Sequence, residues 1–431
     1  MKRLFKHLRG YTAASIFGPL FKLLEATLEL IVPLVIAKIV DVGIAGGDHT
    51  YILIMCLVLV GLGIVGLVFS VTAQYLCARA SVGFITGVRR DMFSHIGRLS
   101  YVDLDRLGTS TLITRMTTDA SRVQTGLNLT LRLLLRSPFV VFGAMIMAFS
   151  IDVQSGVSFA LTIPLLSVII FGIMLITTPL YKKVQGGVDK ILKRTRENLS
   201  GVRVIRAFAR EDEEIRAYCS ENEGLTVAQK RAGHVSALLN PLTYVIINLG
   251  IIFLIYIGAI RVDSGEITQG EVLALYNYMS QILVELIKLA NLIISITKAL
   301  ASAGRISAVL ATKPSQSFGE VKDGFSAAPA VEMRGVSLRY SGAGDESLSD
   351  ISFTAHRGET IGIIGGTGSG KSSLINLIPR FYDATEGEVL AFGVPVCDYA
   401  CGVLTEKIAV VPQRAVLFSG TVRENLTWRR P

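Results

Sequence analysis

The sequence has few charged residues for its length. They make up 18% of its 431 residues, whereas a soluble domain averages about 25%. Hydrophobic residues reach 51%, and the mean hydropathy is +0.52. This composition excludes a disordered chain and argues against an ordinary soluble enzyme. A membrane protein of two or three domains is the first hypothesis.

Cysteine is scarce and scattered. There are five cysteines, an odd number, which does not indicate a disulfide framework. Cys397 and Cys401 form an isolated C-x-x-x-C with no histidine or second cysteine pair nearby, so we expect no metal site there.

Three long segments lack charged residues entirely: 50–78, 153–181 and 235–260. Each exceeds the roughly 20 apolar residues that a membrane-spanning helix needs, and a helix satisfies all its own backbone groups in lipid. Three further apolar segments are shorter or carry charges. The sequence therefore predicts six spans, near 16–40, 51–78, 133–151, 153–181, 236–260 and 272–297.

Several charged residues fall inside the predicted spans. Glu25 and Glu29 are one helical turn apart, and Lys22 shares their face. Glu285 and Lys288 have the spacing of an ion pair. Intramembrane charges typically mark a substrate pathway, which makes the three glutamates candidate substrate-pathway residues. Structural pairing or a position at the membrane interface is the alternative, and the sequence leaves it open.

The lysines and arginines alternate with the spans. The N-terminus and the segments after the second, fourth and sixth spans are basic, whereas segment 41–50 has no lysine or arginine. This pattern predicts that both termini are cytoplasmic. It also explains the net charge of +9, so membrane lipid is the expected partner and nucleic acid is not.

The two predicted cytoplasmic connections, about 79–132 and 182–234, each exceed 50 residues. Structureless loops of that length are uncommon, and the composition favours helices. Two helices of about 25 residues each would form an arm of roughly 35 Å. Such arms could transmit force to the membrane domain or be plain hairpins.

The pattern changes after the predicted membrane domain, residues 1–312. Residues 313–330 are polar and small, as in a linker. Residues 331–340 and 348–354 alternate like strands, and 360–364 read as a buried parallel strand. We predict a second, α/β domain over residues 331–431.

The predicted parallel strand leads into G-x-x-x-x-G-K-S at 365–372, and a helix is predicted over 373–378. This is the context of a P-loop, in which backbone amides surround phosphate oxygens. Lys371 is expected to reach the β- and γ-phosphates, and Ser372 to bind Mg²⁺. A membrane-tethered kinase would need an acceptor site, which the sequence does not show. The predicted ATP-binding residues here are Gly365, Gly366, Thr367, Gly368, Ser369, Gly370, Lys371, Ser372 and Ser373.

Further motifs extend along the chain: ENLSGVRVIRAF at 197–208 with Glu211, a segment at 105–119, GET at 358–360, RFYD at 380–383 and FSGTVREN at 418–425. With the P-loop, they resemble the ATP-binding cassette exporters. The resemblance is to half-transporters, in which one six-helix membrane domain is fused to one nucleotide-binding domain.

The resemblance implies a mainly α fold: a six-helix membrane domain with long helical arms, then a partial α/β ATP-binding domain. It implies ATP-driven export of a small molecule (a drug, lipid or peptide) with a second half-transporter as partner. Tyr340 matches the aromatic residue that stacks on adenine. Gln413 matches the glutamine that contacts Mg²⁺ or the attacking water. The bacterial multidrug type is the most similar, which implies a bacterial plasma membrane.

Family members continue to a signature LSGGQ, an Asp-Glu strand end and a switch histidine, none of which occurs before Pro431. The expectation is a chain truncated within its ATP-binding domain, without catalytic residues of its own. It would bind ATP and Mg²⁺ but hydrolyse ATP poorly, since phosphoryl transfer needs groups that position water and stabilise charge. The alternative is a non-transporting remnant or regulatory subunit that binds nucleotide without hydrolysis.

Overall fold

A computed structural model describes residues 4, 6–325, 327–413 and 416–427. The chain forms two compact units. Unit 1 comprises Met1–Arg90 and Arg115–Ser307, and unit 2 comprises Asp91–Thr114 and Ala308–Pro431. The protein is mostly helical, with a small antiparallel sheet, which confirms the mainly α fold class. The predicted domain limits at 312 and 331 stay predictions.

The helices have the following bounds: α1 Thr12–Lys38, α2 His49–Ile96, α3 Tyr101–Leu107, α4 Thr109–Thr114, α5 Ala120–Leu133, α6 Arg136–Ile151, α7 Val153–Ala207, α8 Glu211–Ala237, α9 Leu239–Asp263, α10 Gln269–Ala311, α11 Lys371–Leu377, α12 Val403–Lys407 and α13 Val422–Thr427. Wider π-helical turns occupy Ile39–Ile44 and Arg115–Asp119, and 3₁₀ turns occupy Lys6–Tyr11 and Val396–Asp398.

Within the described part of the chain, five helical runs are long and apolar enough to cross a membrane: His49–Ile96, Thr109–Ile151, Val153–Ala207, Glu211–Asp263 and Gln269–Ala311. They contain the second to sixth predicted spans. Helix α1 covers most of the first predicted span but is not among the five, and it carries the charges of Lys22, Glu25 and Glu29. The chain is therefore a multi-pass membrane protein.

Helix α2 illustrates how these helices meet lipid. The most apolar part of α2 buries none of its residues inside the protein. Leu53, Leu57 and Ile64, for example, are all exposed. In water such a surface would be unfavourable, whereas a bilayer solvates it without cost.

The interior of unit 1 is a cluster of buried apolar side chains from α1, α6, α7, α9 and α10. Small residues such as Ala26 and Ala144 allow helices to approach closely, and Phe159 fills space between them. The hydroxyl of Tyr278 donates a 2.6 Å hydrogen bond to the Leu30 carbonyl. This pairing satisfies the polar end of a side chain that is fully buried.

The predicted arm between the fourth and fifth spans forms a helical hairpin. The second half of α7 packs against α8, and a three-residue connection joins the two helices. Arg194 on α7 donates to Glu214 at 2.9 Å and to Glu221 at 3.0 Å on α8. The shared arginine holds the two helices in register.

Unit 2 is built on a four-stranded antiparallel sheet in the order β2-β1-β3-β4. Its core consists mainly of the inward side chains of the sheet and of the short helices, such as Val336 and Leu377, and includes Tyr399 from the segment before α12. The alternation over 331–340 and 348–354 correctly predicted two strands. The strands are β1 Val331–Leu338, β2 Leu348–Ala355, β3 Glu386–Ala391 and β4 Val394–Pro395.

The predicted parallel strand at 360–364 is wrong. These residues form no strand, and Ile364 is 98% exposed. A buried parallel strand requires parallel neighbours and cover on both faces, and the strands of the described residues pair only antiparallel. The helix after the P-loop also begins earlier than predicted, at Lys371 rather than Ser373, and ends at Leu377.

Candidate nucleotide-binding site and membrane charge network

The P-loop enters α11 through Gly370, which has a left-handed backbone with φ of +85°. A Cβ atom at this position would lie 2.6 Å from the Ser347 carbonyl oxygen and 2.8 Å from the Leu348 side chain. Only glycine fits both the conformation and the space. This turn leaves the first amides of α11 without helical acceptors, and such amides favour anions.

The Lys371 ammonium group folds back over the loop. Its Nζ donates to the carbonyl oxygens of Gly365 at 2.8 Å and Gly366 at 2.6 Å, and contacts Ser369 Oγ at 3.3 Å. These bonds use the three donors of the ammonium group on loop oxygens. Phosphate oxygens are stronger, charge-assisted acceptors for the same donors. Phosphate binding by this loop stays a prediction.

The other predicted phosphate and metal residues are accessible. Thr367, Gly368 and Ser372 are exposed, and Ser372 lies on the first turn of α11. Gln413 is exposed and outside regular secondary structure, and its side chain makes no hydrogen bond to the described residues. A hydroxyl and an amide oxygen are ligands that Mg²⁺ accepts. Their joint binding of Mg²⁺ stays a prediction.

The predicted adenine-stacking residue, Tyr340, is anchored beside α11. Its hydroxyl donates to Ser373 Oγ at 3.0 Å. Its ring meets that of Tyr382 edge-on, with the centroids 5.1 Å apart. These contacts bring Tyr340 to the helix that follows the P-loop.

Unit 2 also contains contacts that the sequence did not reveal. Tyr101 is the first residue of α3. The centroid of its ring lies 4.8 Å from that of Phe381 and 6.1 Å from that of Tyr382. The Tyr382 hydroxyl donates to Asp105 Oδ2 at 2.7 Å. The RFYD motif is visible in the sequence, but no local signal pairs it with α3.

Asp103 joins α3 to the segment after α10. Ser100 and Asp103 form a capping box at the start of α3, and the Ser315 amide donates to Asp103 Oδ2 at 2.9 Å. Burial raises the pKa of Asp103, but the hydrogen bonds from Ser100 and Ser315 outweigh it and leave the pKa below its usual value. The S-x-x-D spacing at 100–103 is the sequence signal that could have identified this cap.

A buried charge network lies in unit 1. Arg136 donates to Glu285 at 2.6 Å and to Glu29 at 2.5 Å, and the side chains of Arg136 and Glu285 are only 7% and 4% exposed. Lys288 adds a 2.7 Å bond to Glu285, which confirms the predicted pair. Lys22 also pairs with Glu25, with which it shares a helix face.

A cavity of about 310 Å³ opens beside this network. Glu29 and Glu285 line it, whereas Glu25 does not. The Gln281 side chain also lines the cavity, and its Oε1 is buried without a hydrogen-bond partner in the described structure. Two of the three predicted substrate-pathway residues thus meet at one cavity.

Two family models match the chain. The model described as the ABC transporter transmembrane region matches residues 15–286, and the model described as ABC transporter matches residues 348–430. The chain belongs to the ATP-binding cassette (ABC) transporter family.

Individual ABC transporters are similar over most of the chain. A protein named "Uncharacterized ABC transporter ATP-binding protein", from Mycobacterium tuberculosis, is 35% identical over 98% of this chain and 73% of its own length. The ATP-dependent lipid A-core flippase of Haemophilus influenzae is 24% identical over 99% and 73%. The "Probable multidrug resistance ABC transporter ATP-binding/permease protein" of Bacillus subtilis is 30% identical over 84% and 54%.

Proposed function

We propose that this ABC transporter exports a small molecule across a bacterial plasma membrane as one half of a dimer. Its termini face the cytoplasm, and ATP with Mg²⁺ binds at the P-loop. The main support for nucleotide binding is the position of the Lys371 ammonium group. It lies over the P-loop and donates to loop carbonyl oxygens, which phosphate oxygens would replace as acceptors. Membership of the ABC family supports ATP hydrolysis by the assembled transporter.

The residues around the P-loop have separate proposed roles. Lys371 and the loop glycines hold the β- and γ-phosphates, Ser372 and Gln413 bind Mg²⁺, and Tyr340 stacks on adenine. A base stacked on an aromatic ring contributes about 1–3 kcal/mol. Bound Mg²⁺ would offset the phosphate charge, while the chain's own residues position the nucleotide.

The contacts of α3 support a coupling role for unit 2. Tyr340 contacts Tyr382, and Tyr382 contacts Tyr101 and Asp105 of α3. A nucleotide that shifts Tyr340 would act on α3 through this sequence of contacts. Nucleotide binding can change the conformation only if its affinity differs between two states.

The cavity beside Arg136 is the proposed part of the substrate pathway. It combines apolar walls, such as Val32 and Val140, with the charged side chains of Glu29, Glu285 and Lys288. Apolar walls with a few polar groups are typical of small-molecule sites. The named functions of the Haemophilus and Bacillus relatives, lipid A-core flipping and multidrug resistance, support a lipid or drug as substrate.

Photolabelling with 8-azido-ATP in the presence of Mg²⁺ tests the nucleotide site. We expect Lys371→Ala to abolish labelling and Lys322→Ala, which removes an exposed lysine of unit 2, to leave it unchanged. Equal labelling of both variants would contradict the P-loop proposal. Labelling without ATP turnover, even with a second half-transporter present, would favour the regulatory alternative.

A further inference from the structure

A second cavity in unit 1, of about 490 Å³, has no assigned role. Its lining contains two cations, several hydroxyl groups and no carboxylate. This composition is complementary to an anion, because hydroxyls donate hydrogen bonds and the cations supply charge. The lining residues are Thr117, Thr118, Ser121, Arg122, Thr125, Gly126, Ser295 and Lys298.

The positive charge of this cavity is not neutralised from within the described structure. Neither Arg122 nor Lys298 makes an ion pair with a described residue. Asp119 is the one carboxylate in residues 117–126. It accepts hydrogen bonds from Arg305 at 3.0 Å and from Arg115 at 2.7 Å. Asp119 is therefore already paired and does not offset the cavity's cations.

The packing of two helices brings the two cations to one cavity. A Cβ atom at Gly126 on α5 would lie 2.2 Å from the Cβ of Ala299 on α10. Glycine thus allows the helices to touch at this point. Arg122 lies one turn before Gly126, and Lys298 directly precedes Ala299. An arginine fork beside a lysine and hydroxyls is suited to phosphate oxygens.

The cavity lies at the end of the span predicted near 272–297. Lys298 directly follows this span, whereas Arg122 precedes the span predicted near 133–151 by eleven residues. Under the proposed orientation Lys298 lies at the depth of the inner-leaflet head groups, where basic pockets between helices bind anionic lipids. We propose that Arg122 and Lys298 bind a phosphate group, supplied by an anionic phospholipid or by a soluble phosphate.

Binding of a fluorescent short-chain phosphatidic acid to the purified chain in a neutral detergent tests this site. Loss of charge-assisted hydrogen bonds should weaken binding of the double variant Arg122→Gln/Lys298→Gln by about tenfold or more. The matched control, Lys190→Gln/Arg196→Gln, removes the same charge from exposed positions on α7 and should change the affinity less than about twofold. The conservative variant Arg122→Lys/Lys298→Arg should retain binding.

Competition identifies the phosphate source. Displacement of the probe by inorganic phosphate supports a soluble phosphate ligand, and displacement only by unlabelled dihexanoyl phosphatidic acid supports a lipid. Equally effective displacement by uncharged dihexanoylglycerol would overturn the proposal, as would equal affinities of the Gln double variant and its control. If the Gln double variant does not fold, unchanged affinities in both single variants would overturn it.

Discussion

Tyr382 donates a 2.7 Å hydrogen bond from its hydroxyl to the carboxylate of Asp105. The bond joins the RFYD motif, just after the P-loop helix, to the short helix α3. The Tyr382 ring also contacts Tyr340 and Tyr101. The Tyr382 side chain thus touches both Tyr340, which is proposed to stack on adenine, and α3, which is proposed to respond when Tyr340 moves.

Tyr382→Phe removes this hydrogen bond while keeping the ring contacts. We expect the free energy of unfolding of unit 2 to fall by about 1 kcal/mol, the usual net contribution of one partly exposed hydrogen bond. Denaturant unfolding, followed by near-ultraviolet circular dichroism, measures the change. Tyr218→Phe, at an exposed tyrosine of α8, is the control, and an equal effect of both variants would count against a specific bond.

Burial, and then the bond to Asp105, raises the pKa of Tyr382 above its usual value. Because the folded pKa lies above the unfolded pKa of about 10, the stabilisation that this hydrogen bond gives is fully present below about pH 10. It is lost as the pH rises through the folded pKa. We therefore expect the stability difference between wild type and Tyr382→Phe to be constant through neutral pH and to shrink only in alkaline solution. A difference that changed between pH 6 and 8 would contradict this assignment.

The stabilisation by Asp103 is expected to depend on acidic pH. Its pKa is lowered in the folded protein. Its contribution to the free energy of unfolding is therefore fully present above about pH 4, the pKa of an unfolded aspartate, and is lost as the pH falls through the lowered folded pKa.

Ser100→Ala removes the cap of α3 and should lower the free energy of unfolding by about 1 kcal/mol. Faster amide exchange over 100–107 would show the loss. Ser110→Ala, at an exposed serine of α4, should leave this exchange unchanged.

The network at Arg136 is expected to be important for stability. Glu285→Gln leaves Arg136 without its most buried partner, and breaking a buried ion pair costs about 3–5 kcal/mol. The remaining bond to Glu29 should keep the loss near the lower limit. Thermal unfolding in detergent measures it, with Glu223→Gln at an exposed position as control. A melting temperature equal to that of the control would show that the network contributes little.

The proposed orientation predicts which loops reach each side of the membrane. In a background without the five native cysteines, Ala45→Cys should react with an impermeant maleimide added outside intact cells. Ser110→Cys should react only after the cells are opened. Labelling of position 110 from outside, with position 45 protected, would reverse the topology.

Local patterns in the sequence predicted the elements that depend on neighbouring residues. Charge-free runs located three of the spans, alternation located β1 and β2, and the spacing of Glu285 and Lys288 predicted their pair. The P-loop was recognisable because its glycines and lysine are contiguous. Each of these features is decided within a few residues of chain.

Contacts between distant segments could not be predicted in the same way. Arg136 lies 149 positions from Glu285 and 107 from Glu29, and nothing in either local sequence specifies the partner. The same holds for Tyr101 and Phe381. The failed strand at 360–364 has a related cause, because an apolar β-branched run becomes a strand only when neighbouring strands are there to pair with it.

ATP-driven transport tests the central claim most directly. The chain, together with a second half-transporter, would be placed in inverted membrane vesicles with a fluorescent short-chain phospholipid or an apolar dye as probe. We predict probe accumulation with Mg·ATP that Lys371→Ala abolishes and Lys322→Ala does not. Equal accumulation by the Lys371→Ala variant and the wild type would contradict the claim that nucleotide at this P-loop drives export.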